Sequence, residues 1–297
     1  MLTATRALDR DGVVIADVRC RHRCGRGEDI EHTTGHTLVF VRRGCFLRHA
    51  HGIEAMIDPT VAYFLNPGIE QRYDHPLDTG DDCTAVTLDT HLIASLWGGT
   101  PTLPVGALWT SAAIDLEHRL LLSAARRHAD PHGLVERAIL LTARTLERSD
   151  QRRVNSGRPK TARAHRALAD AVREALVAEP DRALPELARA LAVSPHHLSR
   201  VFRSITGQTI TGQRLRLRVR SALERLAGGE FNLARLAAEL KYADQSHLCR
   251  AIRAETGNTP AALRRALQTY ARTGADADTP QIEFEPGPDL TRAAVPK

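Results

Sequence analysis

Residues 184–257 contain one sequence pattern that occurs twice. The spacing L-x-x-L-A-x-x-L runs over 184–191 in the first copy and over 233–240 in the second. Each copy continues into a further periodic segment that ends in Thr-Gly, at Gly207 and at Gly257. An internal repeat of this kind is one structural unit used twice, so this region must be built from two similar halves.

Each copy predicts two short helices separated by a tight turn. In 184–191 the apolar residues recur at i, i+3, i+4 and i+7, which is one face of a helix. Ser194 before Pro195 is typical of an N-cap with proline at the first helical position, and Gly207 ends that helix. Asp244 is the corresponding cap in the second copy. Two short helices arranged in this way form a helix-turn-helix, whose second helix enters the DNA major groove.

The two copies separate apolar positions from polar ones. We expect the apolar set to form the structural core of the two modules: Leu187, Ala188, Leu198, Phe202, Ala237, Leu248 and Ile252. We expect the polar set of the second helices to contact DNA: His196, Ser199, Arg200, Arg203, Gln245, Ser246, Cys249, Arg250 and Arg253. Arginine can bind guanine and glutamine can bind adenine through paired hydrogen bonds, while serine and histidine reach base edges or phosphates.

The charge distribution also favours a polyanionic partner. Between Arg158 and Arg272 there are 21 basic and 10 acidic residues, whereas the rest of the chain has 20 basic and 25 acidic ones. Residues 188–223 contain seven arginines and no acidic residue. The alternative is a helical bundle whose polar faces are only solvated. The repeat, the caps and the basic stripe together favour DNA binding.

On these residues, the region from Thr161 to about Gln268 resembles the arabinose-regulator (AraC/XylS) family of bacterial transcription factors. The matching residues include Leu187, Ala188, Ser194, Pro195, Leu198, Ser199, Arg200, Phe202, Gly207, Arg218, Ala222, Ala237, Ser246, Arg250, Gly257, Thr259 and Pro260. The resemblance implies two modules joined by a long helix, here about 210–227. The chain departs from the family at Lys241 and Tyr242, where Gly-Phe is usual, and at Gln213, where an aromatic residue is usual.

The first part of the chain has short apolar runs between turn signals. The runs are 13–15, 37–41, 61–65 and 85–88, and they are typical of strands in a small barrel or sandwich. The resemblance implies a cupin-like jelly roll that binds a small effector, a dimer partner or both. Two helical patterns follow, at 114–125 and 134–146, and they predict a hairpin that serves either dimer contacts or the local core.

We therefore predict an α+β chain. It has an N-terminal cupin-like small β-barrel with a helical hairpin and a C-terminal all-α domain with two helix-turn-helix modules. The expected boundaries are 1–149 for effector sensing and dimerisation, 150–160 for a linker, 161–272 for DNA binding and 273–297 for a disordered tail.

Two sets of residues suggest metal or thiol chemistry. His49, His51 and Glu54 resemble part of the metal-binding set of cupins, but Gln71 stands where a metal-binding cupin has histidine. The second set is Cys20, His22, Cys24, His32, His36, Cys45 and Cys83. It lacks the second closely spaced pair of a structural zinc site. Solvated histidines and buried or incidental cysteines are the favoured interpretation, so we predict no metal and no cofactor.

These observations predict a sequence-specific transcription regulator, an activator by resemblance, controlled by a small-molecule effector in the N-terminal barrel. The partners are double-stranded DNA and the unknown effector, with RNA polymerase and a second copy of the chain as further candidates. The chain lacks catalytic motifs, a signal peptide and an apolar run of ~20 residues, so we expect a cytoplasmic non-enzyme without membrane contact. The alternative is a metal-dependent cupin enzyme, or a thiol or metal sensor, fused to a DNA-binding domain.

Overall fold

The structure is a computed structural model, and it describes residues 2–21, 25–26, 33, 35–99, 102–149 and 159–269. The predicted tail lies outside these ranges, and so does the predicted linker except for Pro159 and Lys160.

The first half of the chain forms two antiparallel sheets. Its strands are β1 (Leu2–Arg10), β2 (Val13–Cys20), β3 (Gly25–Arg26), β4 (His36–Arg43), β5 (Phe46–Ala50), β6 (Ile53–Ile57), β7 (Val61–Leu65), β8 (Gln71–His75), β9 (Asp81–Leu88) and β10 (Ala107–Trp109). The large sheet has the order β1-β2-β9-β4-β7-β10, and the small sheet has the order β3-β8-β5-β6. All four predicted apolar runs lie in strands of the large sheet.

The large sheet is buried on both of its faces. Val39 and Val41 of β4 pack with Phe46 of the small sheet inside the sandwich. Leu38 and Phe40 of the same strand point to the opposite face, into a core shared with helices. Because neighbouring residues of β4 enter different cores, the strand is an unbroken apolar run rather than an alternating one.

Three helices accompany the sheets: α1 (Thr90–Trp97), α2 (Ala112–Arg126) and α3 (Pro131–Ser149). The last two form the predicted hairpin. The sequence did not predict α1, because its eight residues bury only Ile93 and therefore show little periodicity. The side chain of Asp89 caps α1 by accepting a hydrogen bond from the Leu92 backbone N–H at 2.7 Å.

The second half of the described chain is entirely helical. Its helices are α4 (Pro159–Ala178), α5 (Leu184–Ala190), α6 (Pro195–Thr206), α7 (Ile210–Ala227), α8 (Leu233–Glu239), α9 (Gln245–Thr256) and α10 (Pro260–Thr269). The predicted joining helix coincides with α7, and α4 begins two residues before the expected boundary at Thr161. A β-rich first half and an all-α second half confirm the predicted α+β class.

Helix α2 is covered on two sides. Ile114 and Leu121 pack against the large sheet. Leu116 and Leu120 instead join a core made by α7, α8, α9 and α10. Helix α2 therefore serves the core, whereas α3 exposes the large apolar side chain of Leu140.

A buried charge network joins α2 to the helical half of the chain. The Arg119 guanidinium donates to Asp115 at 2.9 Å and also pairs with Glu224 of α7. Glu224 in turn lies 3.5 Å from Arg42 of β4. Arg220 of α7 lies 3.6 Å from Asp115. Burial alone would raise the pKa of Asp115, but Arg119 and Arg220 hold it below its ordinary value.

A second polar contact pins α4 and α7 to the turn between β6 and β7. Asp58 of that turn accepts a hydrogen bond from Arg173 of α4 at 2.8 Å. The Gln213 side-chain amide of α7 donates to the Thr60 hydroxyl at 3.0 Å and is completely buried. The glutamine that departs from the resembled family therefore makes a specific polar contact between the two halves.

His118 lies in the middle of α2 and is completely buried. Its ring stacks on Phe40 with 4.4 Å between centroids, and its Nε2 lies 3.1 Å from an Asp115 carboxylate oxygen. Burial lowers the pKa of His118 from 6.5 to about 4, although the Asp115 carboxylate acts in the opposite direction. The folded protein therefore holds this imidazole in its neutral form.

This imidazole predicts a loss of stability in mild acid. As the pH falls below 6.5 the unfolded chain binds a proton at His118, and the folded chain does so only near pH 4. The stabilising contribution is therefore full above the unfolded pKa and falls by up to about 3 kcal/mol across this window. Urea unfolding should show a steeper acid loss for the wild type than for His118→Gln. Equal pH slopes for the two proteins would contradict the assignment.

Candidate nucleic-acid interface

The two predicted recognition helices, α6 and α9, begin and end in the same way. The Ser194 hydroxyl and the Asp244 carboxylate each accept a hydrogen bond from the backbone N–H three residues later, at 3.2 and 2.6 Å. The helices end at Gly207 and Gly257, whose φ angles of 71° and 74° are left-handed. Both predicted caps and both predicted stops are confirmed, and glycine is favoured at such C-terminal positions.

The hydrogen bonds inside the two copies also match. The buried hydroxyls of Thr206 and Thr256 each donate to the carbonyl four residues earlier, at 2.8 Å in both copies. Each hydroxyl also accepts a hydrogen bond from the N–H two residues later, at 3.2 and 3.1 Å. The repeat is therefore one of structure as well as of sequence.

The turn inside each module explains one departure from the resembled family. Ala192 and Lys241 occupy the same place in the two turns, with φ angles of 54° and 59°. Glycine adopts this left-handed conformation without the steric cost that a side chain brings. Tyr242 follows and is buried, so it occupies the place of the phenylalanine that is usual in the family. Lys241 occupies the place of the usual glycine and bears the steric cost of the left-handed backbone.

The seven predicted core residues are all buried: Leu187, Ala188, Leu198, Phe202, Ala237, Leu248 and Ile252 are each at most 1% exposed. They divide between two cores. The first is formed within α4 to α7. The second is formed by α7 to α10 together with Leu116 and Leu120 of α2.

The nine predicted DNA-contacting residues lie on the sides of α6 and α9 that face away from the two cores. Seven of them are exposed: His196, Arg200, Arg203, Gln245, Ser246, Arg250 and Arg253. Ser199 and Cys249 are half-buried. The structure brings each set together on one helix surface, and their contact with DNA stays a prediction.

The basic surface is smaller than the seven arginines of 188–223 suggest, because four of them lie on α7 and interact within the protein. Arg214 donates to the Arg182 carbonyl at 2.6 Å, Arg216 lies 3.9 Å from Glu255, Arg218 pairs with Asp181, and Arg220 is buried. Counting charges along the sequence overestimated the surface that faces solvent.

The arginines of the recognition helices differ from those of α7. Within the described part of the chain, Arg203, Arg250 and Arg253 form no ion pair, and Arg200 contacts only the neighbouring His197 ring at 3.4 Å. Arg235 on α8 provides a contrast, since it donates to Glu239 at 2.7 Å. All four arginines of α6 and α9 are therefore without an ion pair among the described residues, as are the exposed Arg163 of α4, Arg189 of α5 and Arg265 of α10.

The cupin-type metal set converges only in part, since His49 Nδ1 lies 3.6 Å from a Glu54 carboxylate oxygen but His51 lies apart from both. His49 lies 2.7 Å from Asp74, while His51 lies in the exposed β5–β6 turn with a φ of 51°. Gln71 accepts a hydrogen bond from buried Arg48 at 3.1 Å.

The cysteine set is only partly described. His22, Cys24 and His32 lie outside the described residues, whereas His36, Cys20, Cys45 and Cys83 are buried. The structure places Cys20 beside His75 and Asp81, two residues that sequence reasoning did not include.

Among the described helices none is long and apolar enough to cross a membrane.

Residues 187–266 match a protein-family model described as a helix-turn-helix domain. This match confirms a helix-turn-helix domain in the C-terminal region. No curated protein matches the chain.

Two solved structures of ToxT from Vibrio cholerae are similar over much of the chain. One has a TM-score of 0.36 at 10% identity and covers 90% of this chain and 100% of that one. The other, with bound unsaturated fatty acid, has a TM-score of 0.34 at 11% identity and covers 91% and 100%. A cupin superfamily protein from Desulfitobacterium hafniense has a TM-score of 0.26 at 13% identity and covers 30% and 78%.

Phe202 tests the placement of the first recognition helix. Phe202→Ala removes a completely buried ring from the core of α4 to α7, and such a change destabilises a protein by about 3–5 kcal/mol. We expect a lowered melting temperature in thermal unfolding. The matched control is Arg203→Ala, which alters the exposed neighbour and should melt like the wild type. A normal melting temperature for Phe202→Ala would mean that the helix is rotated.

Proposed function

We propose that the protein is a sequence-specific DNA-binding transcription regulator, an activator, that is controlled by a small-molecule effector. Residues 161–272 bind DNA, residues 1–149 bind the effector, and residues 150–160 connect them. The observation that carries this proposal is the pair of matched recognition helices, with their unpaired arginines on the exposed side. In this proposal α6 and α9 enter successive major grooves on one face of the DNA.

Electrostatics support the choice of DNA as the partner. A guanidinium already held by a carboxylate has little to gain from a phosphate, whereas an unpaired one gains a charge-assisted hydrogen bond. Each phosphate that the protein neutralises releases counterions, so affinity for duplex DNA should fall by orders of magnitude between ~50 and ~200 mM salt. Affinity that is unchanged over this range would remove the electrostatic basis of the proposal.

Arg250 distinguishes base recognition from general attraction. Arg250→Ala should weaken binding to the natural operator by about 1–3 kcal/mol and relax the preference at one or two base pairs. The operator is first identified by mapping the bound sites across the genome. Affinities for the operator and for random duplex are then measured at one salt concentration.

Arg235→Ala is the matched control, because Arg235 is also exposed but pairs with Glu239. It should change affinity little. Equal weakening of Arg250→Ala on the operator and on random DNA would assign Arg250 to phosphate contact, and Arg200→Ala provides the same test for α6.

The interior of the sandwich supports an effector that carries a carboxylate. Arg48 is 3% exposed and lies 4.7 Å above the Tyr63 ring. Among the described residues its hydrogen-bond acceptors are neutral oxygens, on Gln71 at 3.1 Å and on the Phe64 backbone at 3.5 Å. No described carboxylate forms an ion pair with Arg48, and a buried cation without a counterion is costly. A ligand carboxylate would supply that counterion.

The contacts between the two halves give such an effector a route to DNA. Asp58 and Thr60 lie in the turn that leads into β7, and Tyr63 lies in that strand. Through Arg173 and Gln213 the same turn contacts α4 and α7. If effector binding shifts this strand, DNA affinity changes, and by linkage DNA changes effector affinity by the same factor.

Arg48→Met separates a ligand-binding role from a structural one. Removing a buried charge that has no counterion should leave the free protein as stable as the wild type or more stable. The same change should abolish effector control of transcription, measured with a reporter under the natural promoter. Arg42→Met is the control, because Arg42 pairs with Asp17 and Glu224 and its loss should lower the melting temperature. An unstable Arg48→Met protein with intact regulation would contradict the carboxylate proposal.

The regulator is proposed to act without catalysis, and the His49 and His51 pair is not required for control. RNA polymerase and a second copy of the chain are proposed as further partners on the promoter. Light scattering of the purified protein, with and without operator, measures whether a second copy is bound.

A further inference from the structure

Three potential metal ligands meet in the β-rich half of the chain. The Cys20 thiol, one His75 ring nitrogen and one Asp81 carboxylate oxygen all lie within 4.8 Å of one another. The three residues are 4%, 8% and 4% exposed. No other group of this kind is present among the described residues.

The ligands come from both sheets of the sandwich. Cys20 ends β2 and lies opposite Asp81, the first residue of β9, in the large sheet. His75 ends β8 of the small sheet, and its Nε2 lies 2.9 Å from an Asp81 oxygen. A bound ion would therefore tie the two sheets together at one end of the sandwich.

The backbone around these residues is packed so closely that two glycines are required. A Cβ atom on Gly80 would lie 2.2 Å from the Cys20 carbonyl oxygen. A Cβ atom on Gly44 would lie 2.2 Å from the Gly80 carbonyl oxygen and 2.9 Å from the Asp81 Cα. The Arg21 guanidinium also donates to the Cys20 and Asp81 carbonyls, at 3.0 and 3.2 Å. The ligands are thus held by neighbouring backbone and by a charged side chain.

We propose that Cys20, His75 and Asp81 form a zinc-binding site, with water as the fourth ligand. Sulfur, imidazole nitrogen and carboxylate oxygen are the ligands that zinc prefers, and this mixed set suits Mg²⁺ or Ca²⁺ poorly. Bond lengths of roughly 2.0–2.3 Å place the ligand atoms of a tetrahedral site roughly 3.3–3.8 Å apart. The three ligand atoms, which lie within 4.8 Å of one another, need shifts of only about 1 Å to reach these distances. On binding, zinc replaces the thiol proton of Cys20, which leaves to solvent.

Cys83 orients the carboxylate. Its thiol donates to the second oxygen of Asp81 at 3.3 Å, and this leaves the first oxygen facing His75. Hydrogen bonds of this kind to a metal ligand fix its orientation.

The competing interpretation is a buried His75–Asp81 hydrogen bond beside a cysteine that binds no metal. Only the metal-site interpretation predicts a bond between the Cys20 sulfur and a metal ion. The experiment is therefore to titrate the chelator-treated, full-length protein with Co²⁺. We expect one equivalent to bind and to produce a thiolate-to-cobalt charge-transfer band, which added Zn²⁺ then abolishes. Cys20→Ser should lose the band, whereas Cys249→Ser and His49→Ala should keep it.

X-ray absorption of the zinc-loaded wild type is a second measurement. It needs no variant, so it tests the proposal even if Cys20→Ser fails to fold. One sulfur with nitrogen and oxygen ligands is expected. A folded wild-type protein that takes up neither metal, a zinc shell without sulfur, or a band that survives in folded Cys20→Ser would each overturn the proposal. DNA binding is measured separately and does not depend on these outcomes.

Discussion

The pairing of Arg119 with Asp115 and Glu224 is the interaction on which the arrangement of the whole molecule depends. Moving a guanidinium out of water costs several kcal/mol, and only well-placed carboxylates offset this cost. Asp115 lies on the same helix, but Glu224 lies on α7, in the other half of the chain. Arg119 therefore reaches its full set of partners only when the sandwich and the helical half are packed together. Removing one partner of such a buried pair costs about 3–5 kcal/mol.

The two helix-turn-helix modules depend on this packing in different ways. The first has an apolar core of its own and contacts the β6–β7 turn through polar groups, Arg173 and Gln213. The second completes its core with Leu116 and Leu120 of α2. The second module is thus joined to the hairpin by apolar packing, whereas the first is joined to the sandwich by a buried ion pair and a buried hydrogen bond.

The sequence predicted the features that are determined locally. Helix caps at Ser194 and Asp244, stops at Gly207 and Gly257, and the apolar runs of the large sheet follow from neighbouring residues alone. The contacts between the halves join residues far apart in sequence, and a buried polar residue such as Gln213 has no local pattern that distinguishes it from a solvated one.

The same limit explains two errors of interpretation. Arg220 counted as part of a basic surface because its charge was visible and its burial was not. Cys20 was grouped with its neighbours in sequence, while its partners in space, His75 and Asp81, arrive through the register of β2 with β9 and from the opposite sheet. Register and sheet order are properties of the whole sandwich, so such a site becomes visible only when the fold is known.

The distribution of paired and unpaired arginines connects the fold with the proposed function. Arg119, Arg173 and Arg42 are buried and held by carboxylates, and each of them contributes to the packing of the two halves. Arg203 and Arg250 are exposed on the recognition helices and have no described carboxylate partner. An arginine that is held internally fixes geometry, and one that is left free can bind an external anion. The held arginines fix α4 and α7 against the sandwich, and in the proposed function the free arginines of α6 and α9 meet DNA. In the proposed function, an effector that displaces the first group therefore acts on the second without touching it.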